Sequence, residues 1–438
     1  MFQRSALLLA LTVATASHAA EEVQEDWQLK GQATYVSQNS RPFHAAYSGT
    51  NSLLSGGESS YTFTSTAFLG ARLWKGGEVY LNVEAGQGDP MSGLTGLGGF
   101  TNGEATRVSG STLKAYRQRL FLRQTWGLGE ETEYQESEFN QMAGRVAKDR
   151  FVLTVGNFST LDIFDDNAYA KDPRTQFLNW SNMALTAFDY AADARGFGWG
   201  FAAEWYQGDW VLRFGRMTGP KTPNGQEIDF HILRHYGDQL EIEHAHQIAE
   251  RPGKVRLLAF RNRAKTAAFT DASAWLDANP GADPQAINNV RNGERIKYGL
   301  GVNLEQEIAD DLGWFLRAMH ADGRTETYAF TEADGSFATG LSLKGGRWNR
   351  PDDTFGIAWM RNTISNERRD YLAKGGISFF IGDGKLGYSP EHIFETYYSW
   401  KAMRSLWLTA DYQHIENPAY NADRGPANVL SLRLHAEF

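Results

Sequence analysis

The last twelve residues constrain the fold more than any other stretch of the chain. Leu430, Leu432, Leu434, Ala436 and Phe438 fall on one face of a strand; Ser431, Arg433, His435 and Glu437 fall on the other. A strand that is oily on one side, charged on the other, and ends on an aromatic residue has the form of the closing strand of an outer-membrane β-barrel. The oily face then meets acyl chains and the charged face a wet interior.

The other end agrees. Arg4 precedes an apolar run over 6–16, and Ser17-His18-Ala19 fits a small-x-small cleavage site. This predicts a signal peptide over 1–19, a barrel over 20–438 and export towards the outer membrane. The apolar run is too short and too alanine-rich to span a bilayer as a helix.

Composition narrows the choice. The chain carries 13 Trp, 18 Tyr, 26 Phe and 45 Gly, yet its mean hydropathy is −0.47. Beyond residue 19 no stretch approaches the ~20 apolar residues of a spanning helix. Aromatic-rich, glycine-rich and hydrophilic together suit a tube with lipid outside and water inside. No cysteine is present, which removes disulfides and thiolate metal sites. The net charge of −9 argues against nucleic acid as a partner.

Alternation is legible along much of the chain. Trp199, Phe201, Ala203 and Trp205 alternate with Gly198, Gly200, Ala202 and Glu204, and Trp210, Leu212 and Phe214 return opposite Arg213 and Gly215. Tyr298, Leu300, Val302 and Leu304 alternate with Gly299, Gly301, Asn303 and Glu305. Trp and Tyr near the ends of the oily faces fit an interfacial girdle, which a soluble sandwich does not need. Glycine stripes on the opposite faces predict an interior crowded by a segment packed against the wall.

Candidate strands fall at 27–37, 61–74, 77–87, 112–126, 138–147, 150–158, 195–206, 209–217, 227–236, 239–249, 253–265, 294–307, 311–322, 352–363, 376–382, 390–400, 404–416 and 427–438. An even number is required, so either all eighteen pair or sixteen remain once the weak 27–37 and 376–382 are dropped. Hairpin turns are expected at 75–77, 207–209, 237–238 and 309–311. Longer connections are expected at 38–60, 88–111, 159–194, 266–293 and 323–351, and a short charged helix at 366–374.

Three clusters could carry chemistry. Arg117, Arg119, Phe121 and Arg123 share a strand face, which predicts a positive ladder opposed by carboxylates such as Glu84, Glu204 and Asp411. Such a constriction offers guanidinium forks and carboxylates to hydroxyl groups. Asp162, Asp165 and Asp166 form the densest acidic group; as oxygen ligands they would suit Ca²⁺, but an EF-hand's glycine and final glutamate are missing. The plainer expectation is a helix cap or pairing with arginines such as Arg174. His231, His235, His244 and His246 lie on two adjacent predicted strands, where pairs could meet across a hairpin, although scattered wall histidines are the commoner arrangement. No Gly-x-Ser-x-Gly elbow or His-Glu-x-x-His helix occurs, so no catalytic set, cofactor or metal is expected.

The block Val155-Gly156-Asn157-Phe158, Asp162-Ile163-Phe164-Asp165-Asp166-Asn167-Ala168-Tyr169-Ala170, Lys171-Asp172-Pro173-Arg174-Thr175-Gln176-Phe177-Leu178-Asn179-Trp180 and Phe188-Asp189-Tyr190-Ala191-Ala192-Asp193-Ala194-Arg195-Gly196 resembles the carbohydrate-selective, OprB-type porins of Gram-negative outer membranes. Gly98-Gly99-Phe100-Thr101-Asn102-Gly103-Glu104, Glu395-Thr396-Tyr397-Tyr398 and the closing strand look like further family segments. The family's frequent amino-terminal extension is absent, and 323–389 aligns poorly. The resemblance implies a sixteen-stranded, all-β transmembrane antiparallel barrel with loops folded into the lumen. It implies passive diffusion of mono- or short oligosaccharides through a narrowed, charged throat. Its pore-lining set would be Glu84, Arg117, Arg119, Arg123, Asp162, Asp165, Asn167, Arg174, Trp180, Arg195 and Glu204. Expected partners are sugars, outer-membrane lipids and lipopolysaccharide, and the barrel-assembly machinery through Phe438, with the chain a monomer or homotrimer. The alternatives are an export barrel for acidic polysaccharide and an outer-membrane hydrolase.

Overall fold

The computed structural model describes residues 22–329 and 332–438. The expected signal peptide and its cleavage site lie outside the described residues. The chain runs through Trp27–Ser40 (β1), Glu58–Trp74 (β2), Gly77–Asp89 (β3), Gly110–Gly127 (β4), Thr132–Gln135 (β5), Gly144–Ala147 (β6), Arg150–Phe158 (β7), Gly198–Gln207 (β8) and Trp210–Met217 (β9). It continues through Tyr236–Ile248 (β10), Arg251–Thr266 (β11), Gly293–Ala309 (β12), Leu312–Ala321 (β13), Gly335–Gly345 (β14), Arg350–Thr363 (β15), Glu391–Met403 (β16), Leu406–Glu416 (β17) and Ala427–Glu437 (β18).

Sixteen of these strands pair antiparallel, each with its neighbour in sequence, and β18 closes on β1 with Gln32 opposite Glu437 and Ser40 opposite Val429. Closure leaves no unpaired ladder edge, which a sheet in hydrocarbon cannot tolerate. Among the described residues no helix is long and apolar enough to cross a membrane.

The side-chain period of two sorts every strand into a lipid and a lumen face. In β18, Leu430, Leu432 and Leu434 point outward and are exposed, while Ser431, Arg433 and His435 point inward and are buried. Trp27, Trp74, Trp126, Trp205, Trp210 and Trp400 are all exposed and all lie at the short-turn end, forming the girdle at the end that faces the periplasm in barrels of this kind. The long connections lie at the opposite end.

The barrel has the expected number of strands, but not the expected members. The segment 27–37 is β1. The segment 376–382 is loop, its Ile377 N–H bonded to the Pro284 carbonyl and its Phe380 N–H to Glu332. Of 138–147 only β6 is strand, paired with β5 in a small separate sheet at the short-turn end, where Glu25 accepts from Ser137 and from the Ala143 N–H. The segment 227–236 is loop because Asp229 captures the His231 N–H and both the His231 and His235 rings, curling the backbone out of register. Gly237-Asp238 is not a turn; it lies inside β10, opposite Asn262 and Arg261. The strand hidden within 323–351 is β14, whose inner face is only Ser336, Ala338, Gly340 and Ser342.

The hydrophobic core sits inside the barrel. The connection 159–197 folds into the lumen and buries Phe164, Phe177, Trp180 and Phe188 there. The glycine stripes exist to admit it. A Cβ at Gly237 would lie 2.6 Å from that of Ala191, one at Gly215 2.9 Å from the Phe164 ring, and one at Gly301 2.9 Å from Leu185. The helix Trp180–Met183 (α1) lies within the inward loop, while Phe269–Ala278 (α2) and Asn366–Ala373 (α3) lie in connections at the long-loop end, and α3 is the short charged helix expected there.

Candidate functional site: a charged throat between the inward loop and the wall

The inward loop starts on its own cap. Ser159 and Asp162 form a capping box, with the Ser159 N–H donating to Asp162 Oδ2 at 2.9 Å. The same carboxylate takes a fork from Arg119 of β4, with Nε at 2.7 Å and Nη2 at 2.6 Å. Asp162 therefore anchors loop to wall while staying open to the lumen. Burial pushes its carboxyl up, but the Arg119 guanidinium and the Ser159 N–H outweigh that and hold it below the usual range.

Deeper in the loop Arg174 spans two acids. Its Nε donates to Glu104 Oε2 at 2.7 Å and its Nη2 to Glu84 Oε2 at 2.6 Å. Glu84 lies on β3 and Glu104 in the 90–109 connection, and both are buried. Thr66, Gln118 and Tyr116 also donate to Glu84, and Arg107 stands 3.7 Å from it and 3.4 Å from Glu104. A buried charge surrounded this completely is fixed in place.

Arginine 117 departs from the expected ladder. Opposite Asn82 and Val83 the register of β4 slips by one residue, so Gln118 and Arg119 both face the lumen. This bulge throws Arg117 to the outer face, where it is exposed and lies 5.1 Å from the Trp199 ring. Arg123 stays inside, over the rings of Tyr80 and Phe121, with Nη1 donating to the Asn140 carbonyl at 2.8 Å. Glu84 is on the strand next to the arginines, not across from them, and Asp162 takes Arg119 instead.

The other expected residues divide by exposure. Arg195 is half-buried over the Tyr116 ring at 4.2 Å. Glu204 is buried, 3.1 Å from Arg213 and accepting from Tyr206 at 2.8 Å. Asp165, Asn167 and Trp180 are almost wholly buried and seat the loop, so they do not line the water path. Asp165 accepts from the Leu185 N–H and Asn303 at 2.6 Å, Asn167 donates to Asn303 at 2.7 Å, and Trp180 packs edge-on against Phe100. The three aspartates do not converge on a cation site: Asp162 faces Arg119, Asp165 faces Asn303, and Asp166 pairs with Lys171 at 2.6 Å. Among the described residues no group of three His, Asp or Glu side chains is placed to hold a metal ion. The histidine pairs do not meet either; His244 and His246 lie on the outer face near the short turns, His244 against Trp210.

A second charged wall was missed. Arg213 bridges Glu204, Glu241 and Glu243, and Arg256 joins Glu243 at 2.7 Å to Glu305 at 3.2 Å. Their inward parity on β9–β12 follows from the outward Trp210, Leu212 and Phe214, so the signal was present. Glu241 and Glu305 also receive the Asp165 and Ala168 N–H groups. Across the lumen Glu395 receives those of Leu178 and Asn179, and Glu391 those of Gly98 and Gly99. Wall carboxylates thus pin the inward loops by their backbones. Around the inward loop Asp162 is exposed, and Asp166, Lys171, Arg107 and Arg195 are partly exposed.

The high-pH structure of Pseudomonas putida OprB is similar at a TM-score of 0.70 and 16% identity over 94% of each chain. The outer membrane channel DcaP of Acinetobacter baumannii matches at a TM-score of 0.51 and 10% identity, over 94% of this chain and 97% of that one. At such identities these likenesses speak for the fold alone. No curated protein sequence matches the chain. A family model described as carbohydrate-selective porin, OprB family, matches residues 66–438, from within β2 through the closing strand. The chain belongs to the OprB family of carbohydrate-selective porins.

Proposed function

We propose that this outer-membrane porin passes mono- or short oligosaccharides by passive diffusion through a throat of mixed charge. The observation that supports the reading is the inward loop: it packs inside the barrel and carries the exposed Asp162 and the partly exposed Asp166 and Lys171, with the partly exposed Arg107 and Arg195 also available to a solute. A hydrated solute in so narrow a passage must exchange water for wall contacts. Sugar hydroxyls do so at little cost, donating to carboxylates and accepting from guanidinium groups, while ions of either sign meet a like charge. Binding must stay weak, of the order of mM, for the solute to leave.

Export as a barrel precursor, with removal of 1–19 and recognition of Phe438 by the assembly machinery, belongs to the same reading. An exporter of acidic polysaccharide would want a uniformly positive lumen, which the exposed Asp162 and the partly exposed Asp166 argue against. A hydrolase would lose activity on substitution of an exposed serine, whereas a channel would keep its sugar flux. Planar-bilayer current measured against a panel of neutral sugars is the test. Concentration-dependent, reversible block by short neutral sugars is expected; current indifferent to every sugar would overturn the proposal.

A further inference from the structure

On the outer wall, at the long-loop end, β11 breaks the rule that lipid-facing side chains are apolar. Its outward residues run Val255, Leu257 and Ala259, then Arg261, Arg263 and Lys265. On β12 the exposed Tyr298 lies opposite Arg261 and the exposed Ile296 opposite Arg263, while Glu294 stands opposite Lys265; on β10 Asp238 stands opposite Arg261 and Tyr236 opposite Arg263. The three bases therefore stand at the long-loop end of the outer wall, beside greasy side chains, with successive rungs about 7 Å apart along the strand.

Their charge is only partly answered from within the chain. Arg216 is taken by Asp238 through a two-pronged contact at 2.6 and 2.8 Å. Glu294 alone serves both Arg263, at 2.7 Å, and Arg234. Asp229 is occupied by His231 and His235. Arg261 and Lys265 are exposed and have no charged partner among the described residues. The 218–235 connection turns Phe230 and Leu233 outward, 66% and 84% exposed; Leu233 directly precedes Arg234, and Phe230 reaches the Trp199 ring on β8.

Surplus guanidinium and ammonium groups flanked by exposed apolar side chains match a ligand with phosphates at one end and acyl chains at the other. A run of about 13 Å along the strand is long enough to meet more than one phosphate. We propose that the outer face of β11, with Arg234, Phe230 and Leu233, is a docking site for a multiply phosphorylated lipid of the leaflet at the long-loop end. The site would tie the porin to its lipid and is separate from the throat.

Because the Arg261 and Lys265 side chains make no hydrogen bond or ion pair among the described residues, their neutral variants should fold normally. The test compares the whole protein, delipidated in detergent, with R261Q/K265Q and with R404Q at the opposite end. Native mass spectrometry scores retention of bisphosphorylated lipid A, dephosphorylated lipid A, phosphatidylglycerol and inorganic phosphate. The expected result is at least tenfold weaker lipid A retention for the double variant, none of that loss for R404Q, and poor binding of the dephosphorylated form by all. Equal lipid A retention by the double variant and the parent would overturn the proposal. So would inorganic phosphate binding as well as the lipid, or equal retention of dephosphorylated lipid A.

Discussion

Arg174 donates to Glu84, ninety positions earlier in the chain, at 2.6 Å, and that contact is one of those that tie the inward loop to the barrel wall. Both groups are buried, so neither has water to fall back on. Breaking a buried pair from one side leaves the other charge stranded, at a cost of about 3–5 kcal/mol. Arg107 stands near both acids and softens the loss, which places R174A near the lower end of that range. Heat-modified gel mobility should show earlier unfolding, and single-channel recordings a larger, noisier conductance as the loop loosens.

The bulge at Gln118 separates two arginines that a regular strand would have placed together. R119A removes a forked, charge-assisted contact to Asp162 from the lumen and should weaken sugar block of the current about tenfold while raising conductance. R117A should change neither, since its side chain lies over Trp199 on the outer face. Planar-bilayer titration of both variants with one blocking sugar decides this. Equal effects would put Arg117 back in the throat.

The Asp162 anchor also carries a pH dependence. Its carboxyl is depressed in the folded protein, so its stabilising contribution is complete above the unfolded carboxylate range, about pH 4, and is lost as pH falls through the lower folded value. The contribution of the Asp162 anchor to conductance should be constant above about pH 5 and appear as an upward step below about pH 4. D162N, which cannot titrate, should show no such step at this position. A step of the same size in D162N would assign it to another carboxylate.

How much of this was legible depends on which residues faced lipid. Where a strand's outer face carried Trp, Leu or Tyr, as in β8, β9, β12, β13 and β18, alternation located it within a few residues. β14 escaped because its inner face is Ser, Ala and Gly, so its alternation is slight. The 227–236 segment misled because Ile228, Phe230 and Ile232 alternate as a strand would, while Asp229 bends the backbone into a loop. The arginine ladder misled for a similar reason: period-two reasoning holds only until a bulge shifts the phase, and nothing local to Gln118 announces one. The acids at 162–166 were visible as a cluster, but their partners Arg119, Asn303 and Lys171 come from distant strands or a different turn of the loop. Sequence spacing cannot encode those pairings. The glycine stripes were the best long-range signal, because a wall without side chains implies something pressed against it.

That implication gives a direct test. Gly237 faces the lumen from β10, and a methyl group there would sit 2.6 Å from the Ala191 Cβ and 3.4 Å from its backbone nitrogen. Neither contact is the end of a flexible side chain, so the loop itself must move. Overpacking of this kind costs about 1–3 kcal/mol. Two residues before Ala191, Asp189 accepts the Tyr328 and Ala329 N–H groups, so a shift at Ala191 strains that junction too. G237A should therefore lower thermal stability and alter conductance together. G208A, in a short turn with open space around it, should leave conductance unchanged even if the turn is strained. If G237A left both stability and conductance at parental values, the loop would not be seated on that wall.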